Sequence, residues 1–341
     1  MTRISRPVVV LGALALILSG CGYDETPLPE DPAPSSAAPP PPLLCERDSV
    51  ETDKRSYAPG SVDPADLEIG DGSGPRTLRV GVSADTYLMA AANPEKNNRI
   101  EGFDIEIVTR IAEEIFGDDF NPGRDIEYRV ITAGQRIPLL EEGELDMVVR
   151  NMTINCDRWE HIAFSAEYYH ATQKVLVRAD LAEPVDADGD GVEDETQVPD
   201  LAELRVCAPT GSTSLDNVAE EEPEAVISPA PNHTGCLVKL QNGDVDVITG
   251  DDTVLAGLAA QDPYAIVPEV QPQLGGEYGE PYGVGVNAEN IELAAFINQV
   301  LEDMRADGSW QAAYNKWLAP YLGGPDVNEE GAVQPEPLYG R

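Results

Sequence analysis

Apolar positions between residues 77 and 322 follow two periods in turn. Short alternating runs such as Thr77-Leu78-Arg79-Val80-Gly81-Val82 predict strands, and longer runs with apolar residues every three or four positions predict helices. Residues 102–116 give the clearest helix, with Ile105, Val108, Ile111, Ala112 and Ile115 on one face. A strand at 126–131, a short helix at 135–142 with Pro138 in its first turn, and strands at 145–149 and 174–178 follow. After an acidic interruption the alternation restarts: strand 204–208, a helix opening at Ser212, strand 225–227, helix 235–241, strand 245–249, a helix from Asp252 and strand 264–267. A strand at 282–286 and helices at 291–304 and 310–322 close the pattern. Such alternation predicts α/β layers around a largely parallel sheet.

The two halves of this pattern resemble each other. Each contains a Leu-x-x-Gly-x-x-Asp step into a strand, at Leu140 to Asp146 and again at Leu240 to Asp246. Between them, residues 180–199 hold no basic residue. Asp186, Asp188, Asp190, Val192 and Asp194 fall at the spacing of the first half of an EF-hand-like loop, with Gly191 at its sixth position. Gln197 stands where a bidentate Glu closes such a loop. A structural Ca²⁺ is one expectation here and a solvated acidic insertion the other; no other cofactor is expected.

The flanks are of another kind. Arg3 and Arg6 precede an apolar run from Val8 to Leu18 that is short for a membrane span, so residues 1–20 read as a secretory signal. Leu18-Ser19-Gly20-Cys21 resembles a bacterial lipobox, which makes Cys21 the expected lipid-bearing N-terminus and the lipid the link to the membrane. From Tyr23 to the run Pro39-Pro40-Pro41-Pro42 the chain reads as an extended tether, and the remainder of residues 21–75 as an irregular arm. Residues 323–341 are expected to fray.

Charge narrows the partners. With 62 acidic against 22 basic residues the formal net charge is −40, which argues against nucleic acid and against electrostatic membrane binding. With Cys21 assigned to lipid, Cys45, Cys156, Cys207 and Cys236 remain, an even number in an exported chain. Three pairings exist. Cys207 ends a strand and Cys236 lies near the start of a helix in the same unit, which favours Cys207 with Cys236 and leaves Cys45 with Cys156. No CxxC occurs and the three histidines are scattered, so neither a zinc nor a redox site is expected.

The most informative stretch follows the apolar run at 145–149. Asn151-Met152-Thr153-Ile154-Asn155-Cys156-Asp157-Arg158 turns from a buried strand into polar groups and a helix start, the layout of a ligand site at a strand's carboxyl end. A free amino acid carries a carboxylate and an ammonium on one carbon, and its site needs a cation with paired donors for the first and a carboxylate for the second. Arg158 and Asp251 are residues of those kinds at two strand ends.

These motifs, with Gly102-Phe103-Asp104, Arg136-Ile137-Pro138-Leu139-Leu140, Phe164-Ser165-x-x-Tyr168-Tyr169, Gly211-Ser212-Thr213-Ser214, Asp251-Asp252 and Gly308-Ser309-Trp310 through Trp317-Leu318, resemble the polar amino-acid binding proteins of ABC importers. The resemblance is strongest to glutamine/glutamate-binding lipoproteins of actinobacteria and covers about residues 76–322. It implies a type II periplasmic-binding-protein clamshell, with two α/β lobes joined by two crossovers: lobe 1 from 76–172 plus 283–322, lobe 2 from 173–282. It implies that Arg158 and Thr153 hold the ligand carboxylate, with Ser212 or Thr213 assisting from a helix start and Thr210 beside them. Asn151 and Asp251 would take the ammonium, Asp85 and Tyr87 would position and stack on the ligand, and Arg136 would meet its side chain. Glutamate, aspartate, glutamine and asparagine are the ligands implied. A monomeric protein on the outer face of the cytoplasmic membrane, handing its ligand to an ABC permease, is the function implied. The alternatives are a sensor presenting its liganded state to a membrane receptor and, in another class, an exported dehydratase on the same fold. No paired acid/base set beyond the amino-acid site supports an enzyme.

Overall fold

The computed structural model describes residues 54–189, 191–276, 279–322 and 333–341. Cys21, Cys45 and Asp190 lie outside them, and so do the expectations of a lipid anchor, a Cys45–Cys156 bridge and a complete calcium loop.

Two five-stranded sheets carry the body. In the first, the strands run in the order Ile126–Val130, Leu78–Val82, Met147–Val148, Gly285–Asn287, Ile162–Phe164. In the second the order is Val226–Ile227, Arg205–Cys207, Val247–Asp251, Gln173–Arg178, Ala265–Ile266. The first three strands of each are parallel, but Gly285–Asn287 and Gln173–Arg178 run antiparallel to both neighbours. The expected largely parallel sheet is therefore mixed, for a topological reason. These are the strands by which the chain enters lobe 2 and returns to lobe 1. The two connections lie side by side as an antiparallel ribbon of Tyr169–Ala171 with Glu280–Tyr282.

Each lobe packs apolar residues on both faces of its sheet. The helix Phe103–Phe116 buries the face read from its sequence, and Gly102 starts it at φ 144°, where a Cβ would collide with the carbonyls of Leu88 and Met89. Phe103 meets Trp310 edge-on with ring centroids 5.7 Å apart, and Trp310 Nε1 donates to the Tyr168 carbonyl at 2.7 Å.

The two Leu-x-x-Gly-x-x-Asp steps do equivalent structural jobs. Asp146 accepts from the Arg79 backbone N–H at 2.7 Å and from its Nη2 at 2.6 Å, and Asp246 accepts from Arg205 in the same way at 2.9 and 2.7 Å. Each pair ties the beginnings of two parallel neighbouring strands together. In lobe 2, Cys207 and Cys236 form a disulfide.

Two segments hold more structure than their local pattern shows. The acidic insertion contains a hairpin, Glu183–Val185 with Glu195–Gln197, docked on lobe 2 through Thr196 N–H to Glu269 at 3.0 Å. Among the described residues no three His, Cys, Asp or Glu side chains gather as a metal site, and Asp186 Oδ2 accepts from the Gly191 N–H at 3.1 Å. Of residues 323–341, expected to fray, 323–332 lie outside the described residues and 333–341 are tied down: Leu338–Tyr339 pairs in parallel with Arg55–Ser56, and buried Gln334 donates to the Leu301 carbonyl at 2.9 Å. Backbone pairing and buried polar partners override their weak local pattern. No described helix is long and apolar enough to cross a membrane.

Candidate functional site

The strand Met147–Val148 ends in a turn that sets up one wall. Asn151 adopts φ 34°, a left-handed conformation that Asn tolerates better than most residues. The turn sends its N–H to Asp104 Oδ2 at 3.0 Å. Four residues on, Asn155 caps the short helix Cys156–Trp159 by accepting from the Arg158 N–H at 2.9 Å. Arg158 folds back so that Nη1 donates to the Thr153 carbonyl at 2.6 Å, and only 8% of the residue is exposed. Burial pulls its pKa down, against the attraction of Glu280 and then Asp251.

Lobe 2 supplies the facing wall. Asp251 ends the strand Val247–Asp251 and is 4% exposed. The Tyr282 hydroxyl donates to it at 2.6 Å. Burial, and next the nearby charge of Glu280, push its pKa up to about 8. Ser212 caps the helix Thr213–Glu221 through the Leu215 N–H at 3.2 Å. Thr213 Oγ1 lies 3.2 Å from Thr153 Oγ1 across the lobes.

Of the predicted site residues, Arg136, Asn151, Thr153, Arg158, Ser212, Thr213 and Asp251 line one cavity. Three do not. Tyr87 is 38% exposed and meets Tyr321 edge-on, because the backbone after Thr86 lies against Gly257 of the helix Asp252–Gln261 and turns the ring outward. Thr210 is exposed, its N–H bonded to the Ala230 carbonyl, and the turn at Gly211 (φ 80°) brings Ser212 rather than Thr210 to the helix start. Asp85 accepts from Ser83 at 2.8 Å and from Asn232 at 2.6 Å, so it joins the lobes instead of lining the cavity.

Arg136 is buried in the wall, yet its donors face main-chain carbonyls. Nε reaches Ala133 at 2.9 Å, Nη1 reaches Arg150 and Asn151 at 3.3 Å, and Nη2 reaches Gly211 of lobe 2 at 3.0 Å. It braces the wall and bridges the lobes. Such carbonyl partners cannot be read from the side-chain sequence.

Four functional positions escaped the sequence reading. Arg150, Ser214 and His233 line the same cavity. Glu280, on the connecting ribbon, accepts from Thr213 Oγ1 at 2.7 Å, from Asn217 at 3.1 Å and from Thr153 Oγ1, which collects donors from both lobes on one carboxylate. Burial raises its pKa against these bonds and Arg158. Arg150 stood beside the stretch already singled out and Ser214 closes the motif Gly211-Ser212-Thr213-Ser214; for His233 and Glu280 only the fold supplies the signal.

Residues 78–320 match the family described as bacterial extracellular solute-binding proteins, family 3. The chain is 33% identical to the ABC transporter glutamine-binding protein GlnH of Bacillus subtilis (strain 168) over 241 residues, 70% of this chain and 80% of that one. It is 29% identical to the glutamate-binding protein GluB of Corynebacterium efficiens, over 69% of this chain and 76% of the relative. Among solved structures it resembles an ancestral arginine-binding protein bound to glutamine, with TM-score 0.60 and 28% identity over 72% and 99% of the two chains. The L-cysteine solute receptor of Neisseria gonorrhoeae, at TM-score 0.63 and 22% identity over 76% and 96%, shares the two-lobed fold. The matched span, the two mixed sheets and the ribbon between them show that this chain belongs to family 3 of the bacterial extracellular solute-binding proteins.

Proposed function

We propose that the protein captures a free polar amino acid between its lobes and delivers it to an ABC permease, without catalysis, from the outer face of the membrane to which a lipid on Cys21 holds it. The observation that carries this reading is that Arg158 of lobe 1 and Asp251 of lobe 2, both buried, line one cavity. A zwitterion bridging them favours the closed arrangement of the lobes, since each end of the ligand needs a different lobe. Relatives named for glutamine and glutamate support the ligand class. A micromolar site corresponds to roughly 8 kcal/mol, within reach of two buried, charge-assisted contacts. Calorimetry with glutamate, aspartate, glutamine and asparagine tests the proposal: binding of at least one, lost in Arg158→Ala, is the expected result. Undiminished binding in that variant overturns the assignment. Mass spectrometry of the mature N-terminus tests the lipid, and co-purification from membranes tests the permease.

A further inference from the structure

Three guanidinium groups stand in the cavity wall, and their hydrogen bonds set them apart. Arg136 makes four bonds to carbonyls, and Arg158 makes one through Nη1. Arg150 is 5% exposed and donates through Nε to the Ile131 carbonyl at 2.9 Å; among the described residues neither of its Nη atoms has a partner. The carboxylates that attract it, Asp85 and Asp104, do not hydrogen-bond to it. Asp85 is engaged by Ser83 and Asn232, and Asp104 by the Tyr168 hydroxyl at 2.7 Å and the Asn151 N–H. His233, also in this wall, points Nε2 at the Thr249 carbonyl at 3.3 Å, and burial followed by the charge of Arg150 lowers its pKa to about 4, so it is neutral near pH 7. A buried cation with unfilled donors facing a cavity is costly without an anion to meet it.

We propose that Arg150 is the specificity-determining residue of the site, its free Nη donors taking the side-chain carboxylate of an acidic amino acid while Arg158 and Asp251 hold the α-carboxylate and ammonium. This rests on the amino-acid-binding reading above. An acidic amino acid carries two carboxylates and one ammonium, and Arg158, Arg150 and Asp251 present the matching two cations and one anion. An amide ligand offers Arg150 a neutral acceptor only, and charge-assisted bonds are about twice as strong. A basic ligand places like charge against it. Asn151 Oδ1, buried and without a partner among the described residues, suits an amide NH₂, which makes the choice between acid and amide the decisive measurement.

The test is calorimetry of the full chain with L-glutamate, L-aspartate, L-glutamine, L-asparagine and L-arginine, on wild type, Arg150→Gln and Arg150→Lys, with a melting curve for each. Wild type should prefer the acids to their amides by about tenfold or more; Arg150→Gln should lose about ten- to a hundredfold for the acids and under about threefold for the amides. Arg150→Lys, which keeps the charge, should retain the acid preference and covers the case in which the Gln variant does not fold. Equal losses for acids and amides, a wild-type preference for amides or arginine, or an unchanged acid-to-amide ratio in Arg150→Gln overturns the role of Arg150 while leaving the binding reading intact. Absence of binding by wild type overturns both.

Discussion

The Tyr282 hydroxyl lies 2.6 Å from Asp251 Oδ2, so a residue of the ribbon between the lobes holds the buried carboxylate proposed to meet the ligand's ammonium. The same hydroxyl is 3.1 Å from Thr253 Oγ1, which fixes its direction. Tyr282→Phe removes a donor that favours the ionised form of a buried acid. The expected result is a loss of about 1–2 kcal/mol in amino-acid affinity at pH 7, read by calorimetry, with the melting temperature changed far less than the affinity. Unaltered affinity would show that the bond does not serve the site.

Asp251 also predicts how stability depends on pH. Its pKa rises to about 8 in the folded protein, and those of Asp104 and Asp252 to about 6, each chiefly through burial. An acid whose folded pKa is raised stabilises the fold fully below its unfolded pKa and loses that contribution as pH rises through the folded value. His233 acts oppositely, because its lowered pKa of about 4 makes stability fall as pH drops below about 6.5. Between about pH 6.5 and 8 the ligand-free protein should therefore melt at progressively lower temperature, and Asp251→Asn should flatten that slope. Ligand binding at pH 7, by placing an ammonium beside Asp251, should release a proton, seen as a dependence of the calorimetric enthalpy on the buffer's ionisation heat.

The internal repeat gives a matched pair of variants. The Asp146 and Arg79 side chains are 3% and 17% exposed, against 23% and 42% for Asp246 and Arg205. Asp146 accepts in addition from the Gly70 N–H at 3.0 Å. Breaking a buried ion pair leaves an uncompensated charge, whereas an exposed pair contributes little. Asp146→Asn should cost about 2–4 kcal/mol in chemical denaturation and Asp246→Asn under about 1 kcal/mol. Equal costs would mean that the repeat's geometry, not burial, sets its worth.

What could be read from sequence was local. The helix Phe103–Phe116 and the helix start at Ser212 depend on neighbours a few residues away, and period and spacing reveal them, whereas the Asp of each repeat was legible as a motif but its Arg partner, 67 or 41 residues off, was not. The site was half legible for the same reason: Arg158 and Thr153 share one stretch, and Asp251 ends a strand whose pattern is plain. Glu280 was not, since its partner Thr153 is 127 residues away, on the other side of the ribbon. Arg136 was legible as a cation of the candidate cavity but not as a brace, because its carbonyl partners lie up to 75 residues off and carbonyls leave no mark in the sequence. Strand direction escaped as well, since alternation reports burial and not polarity of the chain.

The C-terminal segment offers the sharpest contrast between a weak local pattern and a strong tertiary one. Arg341 lies over the Trp159 ring at 3.7 Å and donates to the Arg55 carbonyl at 2.9 Å, and the Tyr339 hydroxyl donates to Glu302 at 2.8 Å. Trp159 in turn meets Phe164 edge-on at 5.3 Å, so the segment covers the back of the wall that carries Arg158. Removing residues 333–341 forfeits these bonds and exposes the groups beneath them. The net cost should be about 2–4 kcal/mol, or about 5–10 °C in melting temperature for a domain of this size. Arg158 itself is positioned by Asn155 and by the Thr153 carbonyl, neither of which touches the segment, so affinity for the amino acid should change by less than about threefold. A truncated protein that melts with the full chain would mean that the segment rests on the body without stabilising it; one that keeps its melting temperature but loses affinity would place the segment's role in the ligand wall.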